Sequence, residues 1–410
     1  PPRSTLFPYT TLFRSFLNTV ILAEKCTGCQ ACKHVCPRRA IDMVEDSEGF
    51  LLPVKNSNCT DCKLCLKTCP VMNDVKKSKV LNESKVYLLR HKDEDVVNLS
   101  SSGGAFTAIV QEYDSEDCVV FGAEYENDFK VSHNYVQCIK ELDKLRKSKY
   151  VQSDVKDTYA EVKDFLIAGK KVIYSGTPCQ IAGLRNYLGR DYHNLLCVDL
   201  ICHGVPSYKV FRKYLEFIER KYNSKVKRVT FRERKKEGKN WNSKNISILF
   251  GNGRSIVQSS TQNDYLKGYH NKLFYRRSCE NCKFASIERN SDITIADCWG
   301  IEKVFKDIDV HKGYSMVVVN TEKGERIFEE VKKHQDVKQL SLNFAISSNA
   351  QFSHPTEFHK NRKVFYDNLD KMQFDKLVNK CLRRDLIKAR IRKVIPKSFN
   401  EMAKRFLRRK

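Results

Sequence analysis

Eight cysteines fall within 44 residues in two runs of identical spacing. Cys26, Cys29, Cys32 and Cys36 precede Pro37, and Cys59, Cys62, Cys65 and Cys69 precede Pro70. Each run reads C-x2-C-x2-C-x3-C-P. Three thiolates two residues apart can wrap three irons of one cubane, and the fourth, turned away by the proline, reaches a second cubane. The spacing therefore predicts one 4Fe–4S cluster on Cys26, Cys29, Cys32 and Cys69, and another on Cys59, Cys62, Cys65 and Cys36. Zinc is the competing chemistry, but zinc sites use separated C-x2-C pairs, often with histidine, in one tetrahedral set. Clusters of this kind pass single electrons, so the segment is expected to conduct rather than to make or break bonds.

Four short stretches of the body also carry chemistry. In VIYSGTPCQIAGLR (Val172–Arg185) a strand ends at Gly176 and presents Cys179 at a helix start. That position lowers a thiol pKa and suits a nucleophile or a metal thiolate. VDLICHGVPS (Val198–Ser207) is a second strand ending at a cysteine, Cys202, followed by His203. RRSCENCKF (Arg276–Phe284) holds Cys279-x2-Cys282 and is followed by SDITIADCWG (Ser291–Gly300). These four cysteines would suffice for one more cluster, but spacing alone is equally compatible with a zinc site or with unpaired buried thiols. In SSGGAFTAIV (Ser101–Val110) serines and glycines enter a predicted helix, so free N–H groups and hydroxyls can face a phosphate. A plain N-cap explains that stretch as well.

The elements that must position these residues follow from the pattern. Residues 119–125, 130–136, 171–175, 194–201, 226–232, 292–296 and 315–320 read as strands, β-branched and bounded by Gly, Asp or Asn. Residues 245–250 and 254–259 flank Gly251-Asn252-Gly253 and read as a hairpin. Helices are predicted at 104–111, 157–168, 178–188, 207–222 and 323–334; the fourth shows Val210, Phe211, Tyr214, Leu215 and Ile218 on one face. The expected fold is α+β: a small two-cluster domain (16–75), a mixed α/β catalytic domain (84–345) and a basic helical tail (346–410).

Composition narrows the class. The chain has 410 residues, a net charge of +25 and 17 cysteines. No stretch approaches the ~18 apolar residues of a spanning helix, and disulfide scaffolds are short and loop-rich. Residues 1–15, with TLFPYTTLFRS, read as translated sequencing-adapter DNA rather than as a signal peptide. Residues 376–410 carry 14 Lys and Arg against Asp385 and Glu401. Such a tail suits an anionic membrane surface, a nucleic acid or an acidic partner, or simply a solvated helix. Three clusters at −2 each bring the net charge to about +19. Most of that excess lies in the tail, so nucleic acid is not expected as a partner of the body.

Residues 22–72 resemble a bacterial two-cluster ferredoxin. The series SSGGAFTAI, SKYVQSD (Ser148–Asp154), GTPCQIAGLR, DLICHGVPS and C-x2-C followed by DITIADCWG resembles the family of coenzyme F420 hydrogenase/dehydrogenase beta subunits, over about residues 22–320 in all. The resemblance implies FAD and a further 4Fe–4S cluster in this domain. It implies an oxidoreductase that moves electrons between clusters, flavin and an organic substrate or deazaflavin-type coenzyme. It makes Cys179, Cys202, Cys279 and Cys282 the third set of ligands. Cys298 is an alternative ligand, because Ala296-Asp297-Cys298-Trp299 departs from the family's G-D before its Trp-Gly pair. Ser101, Ser102, Gly103 and Gly104 become candidates for the FAD pyrophosphate site, and Ser148, Lys149, Tyr150 and Gln152 are expected near the flavin. Lys149 would stabilise negative charge on reduced flavin, and His203 would donate a proton. Cys118, Cys138, Cys197, Cys298 and Cys381 then remain as buried thiols. The expected partners are a redox protein or reduced ferredoxin and a small-molecule substrate, and the expected location is cytoplasmic or peripheral at a membrane. The alternative is a non-catalytic electron-transfer subunit of a larger redox complex.

Overall fold

A computed structural model of the chain describes residues 24–75, 80–113, 118–137, 139–233 and 244–394. The adapter-like segment, Cys138 and the end of the basic tail (395–410) lie outside the described residues. The first unit is built on the two cysteine runs. Helices α1 (Ala31–Val35) and α2 (Leu64–Thr68) each follow a C-x2-C loop, and strands β1 (Ile41–Glu45) and β2 (Leu51–Lys55) form an antiparallel hairpin between them. The residue after the second cysteine of each run, Gln30 and Lys63, is left-handed (φ 62° and 60°). This shared backbone turn swings each loop into its helix, so the sequence repeat is also a structural one.

The body is a mixed α/β unit around an eight-stranded sheet. Its strands are β3 (Val80–Arg90), β4 (Cys118–Tyr125), β5 (Val131–Val136), β6 (Lys171–Gly176), β7 (Leu195–Leu200), β11 (Ile293–Asp297), β12 (Ser315–Thr321) and β13 (Asp336–Leu340). Their spatial order is β13-β3-β12-β11-β7-β6-β4-β5. Strands β4, β6, β7 and β11 run parallel to one another, and the other pairs are antiparallel. Central strands covered on both faces read as near-continuous apolar runs, as in VVFG, VIY and LLCV. Helices α4 (Ala105–Tyr113) and α9 (Glu322–His334) cover one face. Helices α5 (Thr158–Ile167) and α6 (Pro178–Leu188) cover the other. A Thr177–Gln180 capping box with Pro178 at the first turn starts α6, as the sequence GTPCQ requires.

A second sheet, β10 (Ser255–Gln258), β9 (Ile246–Phe250) and β8 (Val226–Phe231), is antiparallel throughout. It packs on α7 (Tyr208–Tyr222) and α8 (Asp264–His270). The five apolar residues expected on one face of α7 are all buried, each stabilising by roughly 1.5–3 kcal/mol.

The C-terminal region departs from the expected tail. Helices α10 (Leu342–Ser348), α11 (Arg362–Asn368) and α12 (Phe374–Val394) are part of the body. Phe352 joins the core beneath β3 and β12, while Phe365, Leu369, Phe374, Leu377, Val378 and Leu382 join the α7–α8 core. Charge dominates the composition there, so the fewer apolar residues that decide packing do not stand out in the sequence.

Candidate redox site

The crossed assignment of the two cysteine runs can be compared with their surroundings. Cys36, Cys59, Cys62 and Cys65 line one small cavity together with Arg38, Lys63 and Leu64. The Cys65 thiol is pushed up to about 11, first by burial and then by the negative charge of Cys62 and Cys36. Cys29 and Cys32 are pushed well above the ordinary thiol value by burial, with Cys26 and Cys69 adding to it. Backbone N–H groups point at sulfur: Ala40 donates to Cys36 Sγ at 3.3 Å and Asp61 to Cys59 Sγ at 3.4 Å. Buried thiolates that repel one another need a positive core between them, and an iron–sulfur cubane supplies one. Among the described residues no group of three or more His, Cys, Asp and Glu converges closely enough to hold a single metal ion. Cubane ligands are spread wider than that.

The third set is assembled from three separate segments. Cys179 follows β6 and Cys202 follows β7, both at the C-terminal ends of parallel strands, where open α/β sheets bind ligands. The loop at 276–284 brings Cys279 and Cys282 over the same edge, and all four cysteines line one cleft of about 530 Å3. Burial raises Cys179 to about 11 and Cys279 to about 12, and Cys282 adds to both. Cys202 is raised further by burial, Cys279 and Cys179. The expectation that a helix start would lower the Cys179 pKa is corrected: burial and a neighbouring thiolate outweigh the helix. Cys298 lies apart from the four, buried beside Trp299 and Tyr314, with Asp297 and Glu302 as its charged neighbours. Cys118, Cys197 and Cys381 are buried as well.

Cys29 joins the two centres. Its Cβ and Sγ lie 3.0 and 3.1 Å from where a Cβ on Gly183 would sit, so only glycine lets α6 approach this loop. Cys179 is close enough to Cys29 to add to the cost of charging its thiol. Arg276, 3% exposed, completes the junction. It donates to the Cys26 carbonyl at 2.7 Å, the Leu51 carbonyl at 2.9 Å and Gln152 Oε1 at 3.0 Å. Gln152 Nε2 donates to the Thr27 carbonyl at 2.9 Å. Both ends of the Gln152 amide are thus engaged between the cysteine loops, not held free for a flavin.

The other expected flavin contacts divide into two groups. Ser101 accepts from the Ser148 N–H at 2.8 Å and lies 3.1 Å from its hydroxyl, joining two sequence motifs on the cleft wall. Tyr150 stacks flat on Tyr269 (4.3 Å, 4°). Lys149 donates to the Lys144 and Arg146 carbonyls at 3.2 and 2.7 Å, and burial pulls its pKa down to about 7. His203 lines the cleft, and burial lowers its pKa too. Gly103 is different. Its N–H is taken by Ser315 Oγ at 2.9 Å, and a Cβ there would collide with the Leu89 carbonyl. It is a glycine because β3 and β12 crowd it, and its N–H is not available to a phosphate. The Ser102 hydroxyl donates to the Tyr314 carbonyl at 2.7 Å, and both Ser102 and Gly104 line the cleft.

Several cleft residues carry no motif. Arg232 pairs with Asp297 at 3.0 Å and lies over Trp299, as does Lys244. His270 Nε2 is buried with no hydrogen-bond partner, and burial takes its pKa to about 3. Lys147, Arg232 and Lys272 all line the cleft with positive φ, a backbone state enriched where side chains are held for function. Isolated basic residues leave no spacing signal, so the sequence does not mark them. In contrast, Arg185 and Asp292, at the ends of two motifs, form a buried ion pair at 3.0 Å. Asp292 also accepts from Cys197 N–H and Thr321 Oγ1. That part of the motifs holds the sheet together.

The family model for the C-terminal part of coenzyme F420 hydrogenase/dehydrogenase beta subunits matches residues 169–343. A 4Fe-4S dicluster domain matches residues 19–76. The chain is similar to the F subunit of the F420H2 dehydrogenase of Methanosarcina mazei, 23% identical over 78% of this chain and 86% of that protein. It is also similar to the coenzyme F420-dependent sulfite reductase of Methanocaldococcus jannaschii, 26% identical over 78% of this chain and 48% of that protein, so it spans about half of it. A chain in a structure of the F420-reducing NiFe hydrogenase complex of Methanosarcina barkeri is 15% identical over 75% of this chain and 93% of its own, with a TM-score of 0.40.

Proposed function

The chain carries the C-terminal domain of coenzyme F420 hydrogenase/dehydrogenase beta subunits with a 4Fe–4S dicluster domain ahead of it, and on that premise we propose that it is an iron–sulfur flavoprotein oxidoreductase. Electrons would pass between the two N-terminal clusters, a third cluster on Cys179, Cys202, Cys279 and Cys282, FAD, and an organic substrate or deazaflavin-type coenzyme. The observation that carries the reading is the meeting of those four cysteines in a cleft of about 530 Å3 beside Cys29. That volume lies within the range of cofactor sites. Bound there, clusters would carry single electrons and a flavin would convert between one- and two-electron transfer.

The chain's own residues have separable parts in this scheme. The linked hydroxyls of Ser101 and Ser148, with Arg146, Lys147 and Gly104 on the same wall, suit the phosphates of a dinucleotide. The stacked rings of Tyr150 and Tyr269 give the cleft a flat aromatic side. Lys149, with a pKa near 7, can hold or release a proton at Nζ near neutral pH. His203, exposed on the cleft wall, can donate from a ring N–H.

A second reading, an electron-transfer protein without turnover of its own, draws on the similarity to a protein named as one subunit of a dehydrogenase. One set of measurements tests both. Anaerobically purified protein should contain about twelve iron, twelve sulfide and one FAD, and Cys179→Ser should lower iron to about eight. Eight iron in the wild type, unchanged by that substitution, removes the third cluster. Turnover of a small acceptor supports the enzyme; full cofactor content without any turnover supports the electron-transfer role.

A further inference from the structure

We propose that the face around Cys59 and Cys62 is the docking site of an acidic one-electron carrier protein. The inference rests on the reading that the two cysteine runs hold clusters, and goes beyond it by naming where and with what charge a partner meets them.

The two N-terminal centres are not equivalent. The one on Cys26, Cys29, Cys32 and Cys69 faces inward: Cys29 is buried against α6, and Lys283 of the body donates to the Val71 and Asn73 carbonyls beside Cys69. The other faces outward. Of the twelve candidate ligands, Cys62 alone is exposed. Thr60, Asp61, Lys63 and Leu64 around it are exposed as well. Electrons exchanged with another protein would have their shortest path at this face.

Charge identifies the partner. Arg38 and Lys63 line the cavity between the four thiols, and Arg39 and Lys67 are exposed nearby. Among the described residues none of the four is ion-paired. On the acidic side Asp61 is tied to Lys55 at 2.6 Å and Asp42 accepts from Asn56 at 3.1 Å. Leu64, 38% exposed, supplies an apolar centre within the basic rim. A small apolar contact ringed by one sign of charge suits a transient encounter steered by the opposite sign.

The test uses the full chain, prepared anaerobically with its iron content measured, and an acidic 4Fe–4S ferredoxin as probe. Affinity should fall steeply between about 50 and 300 mM salt, as for contacts screened within a Debye length. The double variant Arg39→Glu, Lys67→Glu, at two exposed residues outside the cavity between the thiols, should bind roughly tenfold more weakly at low salt, with iron content and absorption spectrum unchanged. Arg39→Lys, Lys67→Arg should bind as the wild type does. Carbodiimide cross-linking should join Lys63 or Lys67 to carboxylates of the probe. Salt-independent affinity, full affinity of the charge-reversed variant, cross-links confined to other lysines, or self-association abolished by the same charge reversal would each overturn the proposal. Should the charge-reversed variant lose iron, the cross-link map of the wild type decides. Absence of iron from the wild type sinks the cluster reading instead, so the two failures are told apart.

Discussion

Arg276 connects the dicluster unit to the loop of Cys279, three residues further on, through three hydrogen bonds. Removing it by Arg276→Ala strands the Cys26 and Leu51 carbonyls and the Gln152 amide in a buried junction. Each unpaired group costs about 1–3 kcal/mol. The variant should unfold at clearly lower denaturant and lose iron faster under chelator; wild-type behaviour in both would show the junction to be dispensable. His133 makes a pH prediction at the same scale. Its Nε2 lies 3.0 Å from the Ser175 carbonyl and its Nδ1 2.6 Å from Ser153 Oγ, which fits one neutral tautomer. Burial takes its pKa to about 4, Lys149 lowering it further, against the Ser175 carbonyl and Asp154. The unfolded chain therefore takes up the proton first as pH falls. This contribution to stability is complete above about pH 6.5 and is lost toward pH 4, at about 1.4 kcal/mol per unit. Urea midpoints at pH 7.5 and 5 should show a smaller drop in His133→Gln than in the wild type. Neither residue is marked by the sequence. The motif RRSCENCKF draws attention through its cysteines, although Arg276 does the joining, and a lone buried histidine leaves no pattern at all.

The elements are more legible than the residues within them. Strand ends at Gly176 and Leu200 and the apolar face of α7 all follow from local pattern, because β-branched runs and helical spacing are local properties. Strand β3, VLNESKVYLLR, escapes such a reading because its first half is polar, and β13 because its sequence DVKQL alternates only weakly. The order of the sheet, with β3 between β12 and β13, depends on contacts more than 200 residues apart and has no local signal. Helix α6 illustrates how an element serves the site. Its first turn carries Cys179 and its second carries Gly183, against which Cys29 rests. Gly183→Ala adds a Cβ 2.9 Å from the Tyr159 hydroxyl and 3.0 Å from Cys29 Cβ. The helix itself gains about 1 kcal/mol of propensity, so the body should fold while the cysteine loop is displaced. Rapid reduction with dithionite, followed by freeze-quench spectroscopy, should then find slower passage of electrons to the third cluster at unchanged iron content. Equal rates would mean that this close contact does not lie on the path.

At the scale of the whole molecule, the C-terminal region fastens the dicluster unit to the body. Arg362 on α11 donates to both carboxylate oxygens of Glu48, at 3.0 and 2.5 Å, and to the Tyr275 carbonyl at 2.8 Å. Arg277 holds Glu48 from the other side at 2.9 Å. Burial alone would raise the Glu48 pKa, but these two guanidinium groups bring it below the ordinary carboxylate value. Glu48 lies in the β1–β2 turn, so the ion cluster spans both units. Its carbonyl also accepts from Ser207, the N-cap of α7. Deleting residues 346–410 removes Arg362 and leaves a buried carboxylate without its main partner, at about 3–5 kcal/mol. It also uncovers the α7–α8 core where Phe365, Phe374, Leu377, Val378 and Leu382 pack, at roughly 1.5–3 kcal/mol each. That total, about 10–20 kcal/mol, is as large as the whole 5–15 kcal/mol by which a domain is stable. The shortened chain should therefore be insoluble or lack cooperative unfolding. Deleting only residues 388–410 leaves every one of these contacts in place and should give soluble protein with full iron content, although it removes ten Lys and Arg against the single acid Glu401. Soluble, iron-loaded protein from the 1–345 fragment would return this region to the role of an appended tail.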